Sequence, residues 1–559
     1  MKKVLVYFCV AFLLSCSNSF ITEEGKGKYL PATPQERAMF GYDLDLVHEK
    51  EVNIKVNAKD EADLDLIFHS LKKIGVQKQD VQKAFAEGEY FINAKVIGDY
   101  PEALKKIRAM SEVIYADPNY KVVFANEWKS SLSDAIVHPF SLEEGDVDSD
   151  PIADKKEYAL AITEALRAYQ EFGIGEHKIW AGIIDTGTNA NHEDLQHPDG
   201  IRVVQVLKTA FGNGGQIENV DSGNSDDEPN YGGHGTHCSG TICAVGNNKK
   251  GIAGVAWKNV MLASYKGLTR SGGSIYKLYA AFKDLIDTVR AREGNTKQST
   301  IPVNFSLGAP VATCFELEHI NYSMSNGALL VAANGNEGQM LPSYPASFPG
   351  VLAVGATAGD DKKIGFSTTG PWINVCAPGV DIISLGHHSN SEYVYMSGTS
   401  MATPFVTGLV AYLLTFNPKI EPMQMIALLE KTADKVDAMN RDPLGKYDAK
   451  GFSKWYGYGR VNVYRAAKAV KENKVPKIGD VYVETKIIVK PSSYNLYNTT
   501  PIYIYDKSTG ALITVTLATG SYPSQAEIRG LRAGTYRVVY NGNAKEVTID
   551  NTRDVIVDF

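Results

Sequence analysis

The sequence predicts an α/β protein. Its main unit is a mainly parallel sheet with helices on both faces, preceded by a small α+β domain and followed by a small all-β sandwich. Three observations predict this architecture. Apolar strands alternate with helices through the middle of the 559-residue chain, which is typical of a parallel sheet covered on both faces. Residues 51–123 follow a βαββαβ order, and after residue 478 the pattern changes to short alternating strands separated by turn signals.

The composition is that of an ordinary globular protein, with 44% apolar and 22% charged residues. These values exclude a wholly disordered, collagenous or multi-pass membrane chain. The 57 basic and 64 acidic residues give a net charge of −7, which argues against a broad nucleic-acid-binding surface. We therefore expect no nucleic-acid partner.

The N-terminus carries an export signal. Lys2 and Lys3 precede the apolar run Val4–Leu14, which is too short to span a bilayer as a stable helix. The following Ser15-Cys16 completes a segment that resembles a bacterial lipobox, in which the cysteine is lipidated. The alternative is an ordinary signal peptide with an unrelated cysteine. Either way we expect export, with residues 1–16 as the signal, 17–50 as a tether, and membrane contact only through a lipid on Cys16 at the periplasmic or outer surface of a bacterial cell.

Residues 51–123 predict a small α+β domain with an antiparallel sheet. Apolar residues alternate in the first strand and recur at helical spacing in the first helix. The predicted strand, helix, strand, helix and strand are Val52–Val56, Glu61–Ile74, Tyr90–Ile97, Pro101–Met110 and Val113–Val122. Residues 124–152 are acidic and aperiodic, which is typical of a linker or processing region.

Residues 153–472 form the predicted main domain. Its strands are expected at Lys178–Ile184, Arg202–Val206, Val260–Tyr265, Pro302–Ser306, Ala328–Ala333 and Val351–Gly355, with a closing helix at Asn462–Val470. Residues 478–559 form the predicted β-sandwich, in which Asn541-Gly542 is a strong hairpin signal because both turn positions need positive φ. This last region weakly resembles accessory modules of the carboxypeptidase-regulatory or transthyretin-like type.

Four cysteines, namely Cys238, Cys243, Cys314 and Cys376, lie within the main domain. They allow three disulfide pairings, and the sequence neither chooses among them nor excludes free thiols. Cys238 and Cys243 lie on one apolar helix and are expected to be buried as small hydrophobic side chains. No CxxC or His/Cys zinc spacing occurs, so we expect no structural zinc.

Three motifs in the main domain carry residues suited to catalysis. Asp185 follows an apolar strand, at the edge of a parallel sheet where sites are usually found. His234 lies between glycines at the start of a helix, and Ser400 lies close to a second helix start, four residues before Pro404. Taken singly, each residue has a simpler structural explanation: Asp185 as part of a strand-to-turn junction, His234 as a loop residue and Ser400 as a helix N-cap. Taken together and in this order, they are the residue types of a Ser-His-Asp nucleophilic site.

The three motifs resemble those of the subtilisin-like serine proteases, the subtilases. The resemblance rests on Ile183–Gly187, His234–His237 and Gly398–Pro404, and spans roughly residues 150–470. It implies a subtilisin-like fold and a serine endopeptidase that needs no catalytic cofactor and acts on proteins or peptides. Ser400 is the implied nucleophile, His234 the base and Asp185 its orienting carboxylate.

The resemblance also implies an oxyanion-binding residue. The segment Leu330–Gly338 is similar to the family's oxyanion segment, and its final Gly-Asn places the donor at Asn336. Asn334 stands where the family usually has alanine, which leaves two asparagines as candidates for the inward-pointing amide.

Two further segments are similar to the family's substrate-binding strands. They contribute Ser306, Leu307 and Gly308 on one side and Ser271, Gly272 and Gly273 on the other. A substrate peptide would add to these edges through main-chain hydrogen bonds. The alternative is a purely structural role for both segments.

Structural calcium is a further implied feature. The resemblance offers Asp194 and Asn248 as ligands, and oxygen ligands suit this ion. The acidic insertion Ile217–Tyr231 is a second candidate, although a solvated loop is the simpler interpretation.

The resemblance gives residues 51–123 a function as an inhibitory propeptide, so that the protein is made as a zymogen. The alternative is a small domain that stays attached. A different class of function is that of a catalytically silent scaffold that binds peptides. The presence of all four implied catalytic residues argues against it, namely Asp185, His234, Asn336 and Ser400.

Overall fold

The computed structural model describes residues 47–122, 158–490 and 501–559, apart from residues 86, 213–215, 221–224, 226–232, 270–271, 295–298, 439, 484, 509–511, 518–525 and 541–542, together with the two-residue strands at 21–22, 29–30 and 138–139. Cys16, Ser271, Asn541-Gly542 and most of the acidic insertion therefore lie outside the described residues.

The N-terminal domain is an antiparallel sheet with two helices. The two-residue strands β1 (Ile21–Thr22) and β2 (Tyr29–Leu30) precede it. Its elements are β3 (Val47–Asn57), α1 (Glu61–Lys73), β4 (Val76–Lys83), β5 (Glu89–Val96), α2 (Tyr100–Arg108) and β6 (Val113–Val122). These bounds confirm the five elements that the sequence predicts individually, and β4 completes the βαββαβ order.

The first strand of this domain begins earlier than predicted, inside the segment assigned to a tether. The pairing of β3 with β6 shifts register between Val47 and Val52, and Glu49 and Lys50 have positive φ values of 46° and 60°. This bulge interrupts the alternation of apolar residues. The sequence pattern therefore located only the part of the strand that follows it.

The main domain contains one eight-stranded sheet. Its strands are β8 (Ile179–Asp185), β9 (Val204–Thr209), β10 (Glu218–Asn219), β11 (Val260–Lys266), β13 (Ile301–Phe305), β14 (Ala328–Ala333), β15 (Leu352–Thr357) and β16 (Val375–Pro378). They lie in the order β10-β9-β11-β8-β13-β14-β15-β16, and all neighbours are parallel except β10 and β9. The six predicted strands and the mainly parallel sheet are confirmed.

Short strands and helices surround this sheet. The short strands are β7 (His138–Pro139), β12 (Gly273–Ser274), β17 (Ile382–Leu385) and β18 (Tyr393–Met396). The helices are α3 (Tyr158–Ile162), α4 (Ala165–Phe172), α5 (His234–Cys243), α6 (Ile275–Arg292), α7 (Cys314–Ser325), α8 (Thr399–Phe416), α9 (Pro422–Thr432) and α10 (Val463–Lys471).

The topology of the large sheet creates a crevice at one edge. The strands β8 and β13 are neighbours in the sheet. From β8 the chain continues to β9 in one direction along the strand order, and from β13 it continues to β14 in the opposite direction. Ligands of open α/β sheets bind beyond the carboxyl ends of strands at such a reversal. Asp185 ends β8, and Ser306 directly follows β13, so both lie at this crevice.

Two buried helices carry the other motifs to the same place. Every residue of α5 is buried, and α8 is buried from Thr399 to Thr415. Within the described parts of the chain, α8 is also the one helix that is long and apolar enough to cross a membrane, but 94% of it is buried inside the protein. Packing in the core therefore accounts for its apolar composition.

The C-terminal region is a β-sandwich with its own core, as predicted. Its strands are β19 (Ile487–Lys490), β20 (Pro501–Asp506), β21 (Leu512–Leu517), β22 (Ala526–Ile528), β23 (Gly534–Tyr540), β24 (Asn543–Ile549) and β25 (Val555–Asp558). They form a three-stranded and a four-stranded sheet around a cluster of buried apolar side chains. Tyr540 pairs with Asn543, so the connection between β23 and β24 has two residues, as the hairpin signal requires.

A polar cluster attaches this sandwich to the main domain. Arg532 donates hydrogen bonds to the Glu430 carboxylate and to the Tyr482 hydroxyl. Tyr482 donates to the same carboxylate at 2.8 Å, and Asn374 Nδ2 donates to it at 2.9 Å. The charge of Glu430 is therefore balanced where the two units meet.

Candidate active site

Asp185 and His234 form a buried pair at the crevice. His234 Nδ1 lies 2.7 Å from Asp185 Oδ1, and the same oxygen accepts a hydrogen bond from the Thr186 amide at 2.7 Å. The two residues are 1% and 8% exposed. A carboxylate in contact with Nδ1 fixes the orientation of the imidazole and leaves Nε2 as the nitrogen available for proton transfer.

This pairing depends on a close backbone approach by Gly235. A Cβ at this residue would lie 2.1 Å from the Gly187 carbonyl oxygen and 3.1 Å from Asp185 Cβ. The Gly235 amide also donates to Thr186 Oγ1 at 2.9 Å. Only glycine lets the first turn of α5 pack this closely against the end of β8.

The Asp185 carboxylate determines the protonation of His234. Burial alone lowers the pKa of His234, but attraction to the Asp185 charge and the hydrogen bond to it outweigh that effect. The pKa of His234 therefore lies well above its ordinary value of 6.5. His237 behaves differently, because burial lowers its pKa to about 3 and its Nε2 lies 2.9 Å from the Ile382 carbonyl oxygen. It is a packed, neutral residue of the helix.

Ser400 is the second residue of α8 and is 2% exposed. Its Oγ donates to the Ser306 carbonyl oxygen at 3.3 Å, while Ser306 Oγ donates to the Ser400 carbonyl oxygen at 2.8 Å. These reciprocal hydrogen bonds hold the start of α8 against the end of β13. Position at a helix N-terminus also places backbone N–H groups beside the hydroxyl, where they can stabilise negative charge.

Cys238 joins the two halves of the site. Its sulfur lies 4.0 Å from His234 Nδ1, 3.6 Å from Ser306 Oγ and 3.5 Å from the Ser400 carbonyl oxygen. Burial raises the pKa of this thiol. None of the four described cysteines, Cys238, Cys243, Cys314 and Cys376, forms a disulfide, and all are buried, which confirms the small-hydrophobe interpretation of Cys238 and Cys243.

The structure separates the two candidate asparagines. Asn336 Oδ1 accepts hydrogen bonds from the Thr399 amide at 2.9 Å and from Thr399 Oγ1 at 2.8 Å. Its Nδ2 lies 3.4 Å from the point that a Cβ on Gly398 would occupy, beside the nucleophile segment. Asn334 is turned elsewhere, since its Oδ1 accepts from Trp372 Nε1 at 2.6 Å and its Nδ2 donates to the Thr368 carbonyl. Asn336 is therefore the asparagine positioned beside Ser400.

The segments predicted to bind substrate border the same crevice. Ser306 contacts Ser400 as described, Leu307 is buried, and a Cβ on Gly308 would lie 2.4 Å from Ser343 Oγ. On the other side, Gly272 bonds back to Thr269, and Gly273 pairs antiparallel with Val122 of β6. The N-terminal domain thus adds a strand to the edge that the sequence analysis assigned to a substrate peptide.

The predicted calcium ligands lie together, but they are arranged as hydrogen-bond partners. The Asp194 carboxylate accepts from Asn248 Nδ2 at 2.6 Å and from the Ile252 amide at 2.8 Å, and burial raises its pKa to about 7. Asn248 Oδ1 accepts from the Lys250 amide. Calcium needs several oxygens directed at the ion. The Asp194 carboxylate and the Asn248 side chain therefore lie within reach of one another, and a calcium ion held by both stays a prediction.

Sequence reasoning did not foresee how Ser306, Thr399 and Cys238 support the candidate catalytic groups. Their supporting contacts join segments far apart in the chain, so no local motif indicates them. It also missed a loop at residues 386–392 that packs beside His234. A His-His pair followed by a glutamate four residues later was the available signal, but this spacing matches no common metal motif.

Comparison with known proteins gives a family for this arrangement. The sequence model of the subtilase family, Peptidase_S8, matches residues 176–459. Thermitase from Thermoactinomyces vulgaris is 33% identical over 324 residues, which cover 57% of this chain and 99% of that protein. A thermophilic serine proteinase from Bacillus sp. (strain AK1) is 29% identical over 434 residues, covering 76% of this chain and 90% of that protein.

A solved structure shares the architecture of most of the chain. The crystal structure of fervidolysin from Fervidobacterium pennivorans matches with a TM-score of 0.64 at 21% identity, covering 91% of this chain and 78% of fervidolysin. At this identity the likeness bears on the fold alone. It extends beyond the main domain to the regions on either side of it.

Proposed function

The chain belongs to the subtilase family of subtilisin-like serine proteases, and we propose that it is a serine endopeptidase in which Ser400, His234 and Asp185 form the catalytic triad. The observation that carries this proposal is the 2.7 Å contact between His234 Nδ1 and Asp185 Oδ1 at the topological switch point of the sheet. The start of α8, which holds Ser400, packs against the same crevice.

In the proposed reaction, Ser400 Oγ attacks the carbonyl carbon of the scissile peptide bond while its proton passes to His234 Nε2. Asp185 stabilises the imidazolium that forms. Asn336 Nδ2 and the Ser400 amide donate to the oxyanion of the tetrahedral intermediate. The imidazolium then protonates the leaving amine, and a water molecule hydrolyses the acyl-enzyme by the reverse sequence of proton transfers. These steps need no cofactor.

The raised pKa of His234 gives this reaction a defined pH dependence. Only the neutral imidazole accepts the proton of Ser400, so activity is expected to increase with pH as His234 loses its proton. The acid limb of kcat/KM should therefore have its midpoint above 6.5. Hydrolysis of a short neutral peptide across the pH range measures this midpoint in the free enzyme. A midpoint below 6.5 would contradict the proposed coupling to Asp185.

We also propose that residues 51–123 act as an inhibitory propeptide. The edge pairing of β6 with β12 supports this function, because it occupies a strand that a substrate would use. Residues of β6 also reach the main domain. The Asp117 carboxylate accepts from the Cys314 amide at 2.9 Å at the start of α7, and Asn119 Oδ1 accepts from the Tyr276 amide at 3.0 Å in the first turn of α6. Both contacts satisfy N–H groups that a helix start leaves unpaired.

A charged cluster adds to this interface. Lys55 is 7% exposed in its side chain and lies between Glu89 of its own domain, at 2.7 Å, and Glu318 of α7. Tyr115 donates to the other Glu318 oxygen at 2.8 Å. Glu318 therefore accepts from two residues of the N-terminal domain and is the main-domain side of this contact.

Replacing Glu318 with glutamine is expected to weaken retention of the propeptide. Loss of the charge removes a charge-assisted hydrogen bond worth about 1.5–3 kcal/mol, or about ten- to a hundredfold in affinity. The lag between chain cleavage and the appearance of activity measures propeptide release, and it should shorten accordingly. Glu176→Gln, at an exposed residue, is the charge-matched control and should keep the wild-type lag. Equal lags in Glu318→Gln and the wild type would contradict the assignment of this interface.

Export and anchoring complete the proposal. Related subtilases are typically secreted, and the N-terminal sequence supports export of this chain with a lipid on Cys16. Cys16→Ala is expected to move the protein from the membrane fraction to the soluble exported fraction without changing its activity per molecule. Equal membrane retention in both forms would argue for an ordinary signal peptide or another means of attachment.

Self-processing of the full chain tests the proposed peptidase activity and the proposed zymogen together. The full chain and its Ser400→Ala variant are expressed side by side and followed by intact mass. We expect only the wild type to cleave itself, between about Asn119 and Asp154. Cleavage of both forms would assign maturation to another protease, and a wild type that neither cleaves itself nor hydrolyses peptides would favour the silent-scaffold alternative.

A further inference from the structure

A loop beside the catalytic cleft gathers three metal-ligating side chains. Residues 386–392 connect β17 to β18, and they contain His387, His388 and Glu392. One ligand atom from each of these residues lies within 4.8 Å of the other two. His388 Nδ1 and Glu392 Oε2 are 3.2 Å apart. His387 is 7% exposed, while the His388 side chain is 54% exposed, so the cluster has one buried side and one side open to solvent.

The backbone of this loop is held in place by its own hydrogen bonds. The Gly386 amide donates to the Glu392 carbonyl at 2.7 Å, which closes the loop. The His388 amide donates to Glu392 Oε2 at 2.9 Å. The carboxylate is therefore already directed toward the two histidines.

A second set of contacts fixes the loop to the segment that follows β8. The Glu193 amide donates to the Asn390 carbonyl at 2.7 Å, and Asn189 Nδ2 lies 3.1 Å from Asn390 Oδ1. His192 Nε2 lies 2.9 Å from the Glu392 carbonyl oxygen. Because the loop is held both by its own hydrogen bonds and by those to the segment after β8, its side chains need little rearrangement to bind one ion.

The donor set indicates the class of ion. Two imidazoles and one carboxylate suit Zn²⁺ and similar divalent transition metals, whereas calcium and magnesium prefer oxygen ligands alone. Ligands at about 2.0–2.2 Å from a tetrahedral Zn²⁺ lie about 3.3–3.5 Å apart, close to the separation between His388 Nδ1 and Glu392 Oε2. Three protein ligands leave a fourth position for water.

The loop also lies directly beside the proposed general base. A Cβ added at Gly233, the residue before His234, would fall 2.6 Å from both Cβ and Nδ1 of His387. A dication held here would disfavour the imidazolium that His234 must become when it takes the proton of Ser400. The effect on the reaction would be inhibitory.

We propose that His387, His388 and Glu392 bind a divalent transition-metal ion of zinc-like chemistry on the rim of the cleft, and that the bound ion slows peptide hydrolysis reversibly. The second part of this proposal rests on the proposed peptidase function. The first part does not, because it concerns only the geometry of the loop.

A competing location for such an ion is the catalytic centre itself. Asp185, His234 and Cys238 also offer ligand atoms within 4.8 Å of one another. Those three residues are buried, and a metal held there would include a thiolate ligand. Cobalt(II) distinguishes the two locations, since a cysteine ligand gives it a sulfur-to-metal charge-transfer band in the near ultraviolet, while histidine and carboxylate ligands give only the weaker visible bands.

Metal binding is measured on the full chain carrying Ser400→Ala, which prevents self-digestion. Zn²⁺ is titrated by calorimetry and Co²⁺ by absorption, with His388→Ala and Glu392→Gln as test variants. Removal of an outer-shell partner alone often weakens metal affinity about 10–100-fold, so loss of a ligand should weaken it at least about tenfold. His177→Ala, which removes an exposed histidine outside the loop, should bind as the parent does.

We expect one ion per chain, a cobalt spectrum without a thiolate band, and weakened binding in both loop variants. No binding, unchanged affinity in both variants, or a thiolate band would overturn the site. In the otherwise wild-type enzyme, Zn²⁺ should lower the rate of peptide hydrolysis, chelation should restore it, and His388→Ala should be at least about tenfold less sensitive. Binding without any change in rate would overturn the inhibitory role, whereas an enzyme without peptidase activity that still binds the ion would count against the proposed function alone.

Discussion

Ser400→Ala is expected to lower kcat for peptide hydrolysis by about 10⁶-fold while leaving the fold intact; this magnitude is taken from the corresponding serine replacement in a subtilisin. Alanine removes only the hydroxyl, whose hydrogen bond to the Ser306 carbonyl is a long one of 3.3 Å. The chain therefore loses its nucleophile without losing the packing of α8. Measurement of kcat and thermal unfolding on the same preparations separates the two effects.

Two controls make this result specific. Ser325→Ala, at an exposed serine at the end of α7, should keep the wild-type kcat. His234→Ala should reduce kcat about as much as Ser400→Ala, and the double variant should be no slower than either, because residues that act as one unit give non-additive losses. Additive losses would show that the serine and the histidine act in separate steps and would contradict the triad.

Asn336→Ala is expected to lower kcat by about 10²–10³-fold with little change in KM, again a magnitude taken from the equivalent asparagine of a subtilisin. We expect kcat to change and KM to stay the same because this side chain is proposed to donate to an oxyanion that forms only in the transition state. Thr399 holds Asn336 Oδ1 through two hydrogen bonds and so directs Nδ2 toward the nucleophile segment.

Asn334→Ala is the matched control, because it removes the same side chain two residues earlier in the same segment. It should leave kcat near the wild-type value but lower the free energy of unfolding by about 1–3 kcal/mol, since Trp372 Nε1 would lose its buried acceptor. Measurement of kcat, KM and thermal stability on both variants tests the pair. Exchanged outcomes, with Asn334→Ala losing kcat and Asn336→Ala losing only stability, would assign the oxyanion to the other asparagine.

The sequence was most informative where chemistry is confined to short motifs. Asp185, His234 and Ser400 are identifiable because glycines or a proline beside them constrain the local backbone, as the 2.1 Å approach at Gly235 illustrates. The strands of the main sheet were located to within a few residues, since strands buried on both faces are continuous apolar runs.

Sequence reasoning failed where the outcome depends on which atom of a side chain faces a partner. The sequence indicated that Asp194 and Asn248 lie together, but not that the Asn248 N–H₂ group donates to the carboxylate, and the calcium site itself stays a prediction. The choice between Asn334 and Asn336 likewise depended on Trp372 and Thr399, which lie far away in the chain. The bulge at Glu49 and Lys50 concealed the start of β3 for a different reason, because a shift in register breaks the alternation by which a strand is recognised.

The proposed propeptide interface and the proposed metal-binding loop imply separate controls on one cleft. The N-terminal domain occupies the strand edge at Gly273, and in the proposed zymogen it is removed once, by cleavage. The loop at residues 386–392 adjoins the helix that carries His234, and an ion bound there would dissociate when its free concentration falls. The lag in activation measures the first control, and reversal by a chelator measures the second.

Covalent labelling of the nucleophile tests the central claim most directly. The mature enzyme is treated with a fluorophosphonate, digested, and the adduct is mapped by peptide mass spectrometry. The proposed mechanism requires a single adduct on Ser400 that is absent in Ser400→Ala and forms far more slowly in His234→Ala, because the histidine activates the hydroxyl. An adduct on another residue, or an active peptidase that takes no label at all, would contradict the assignment of Ser400 as the nucleophile.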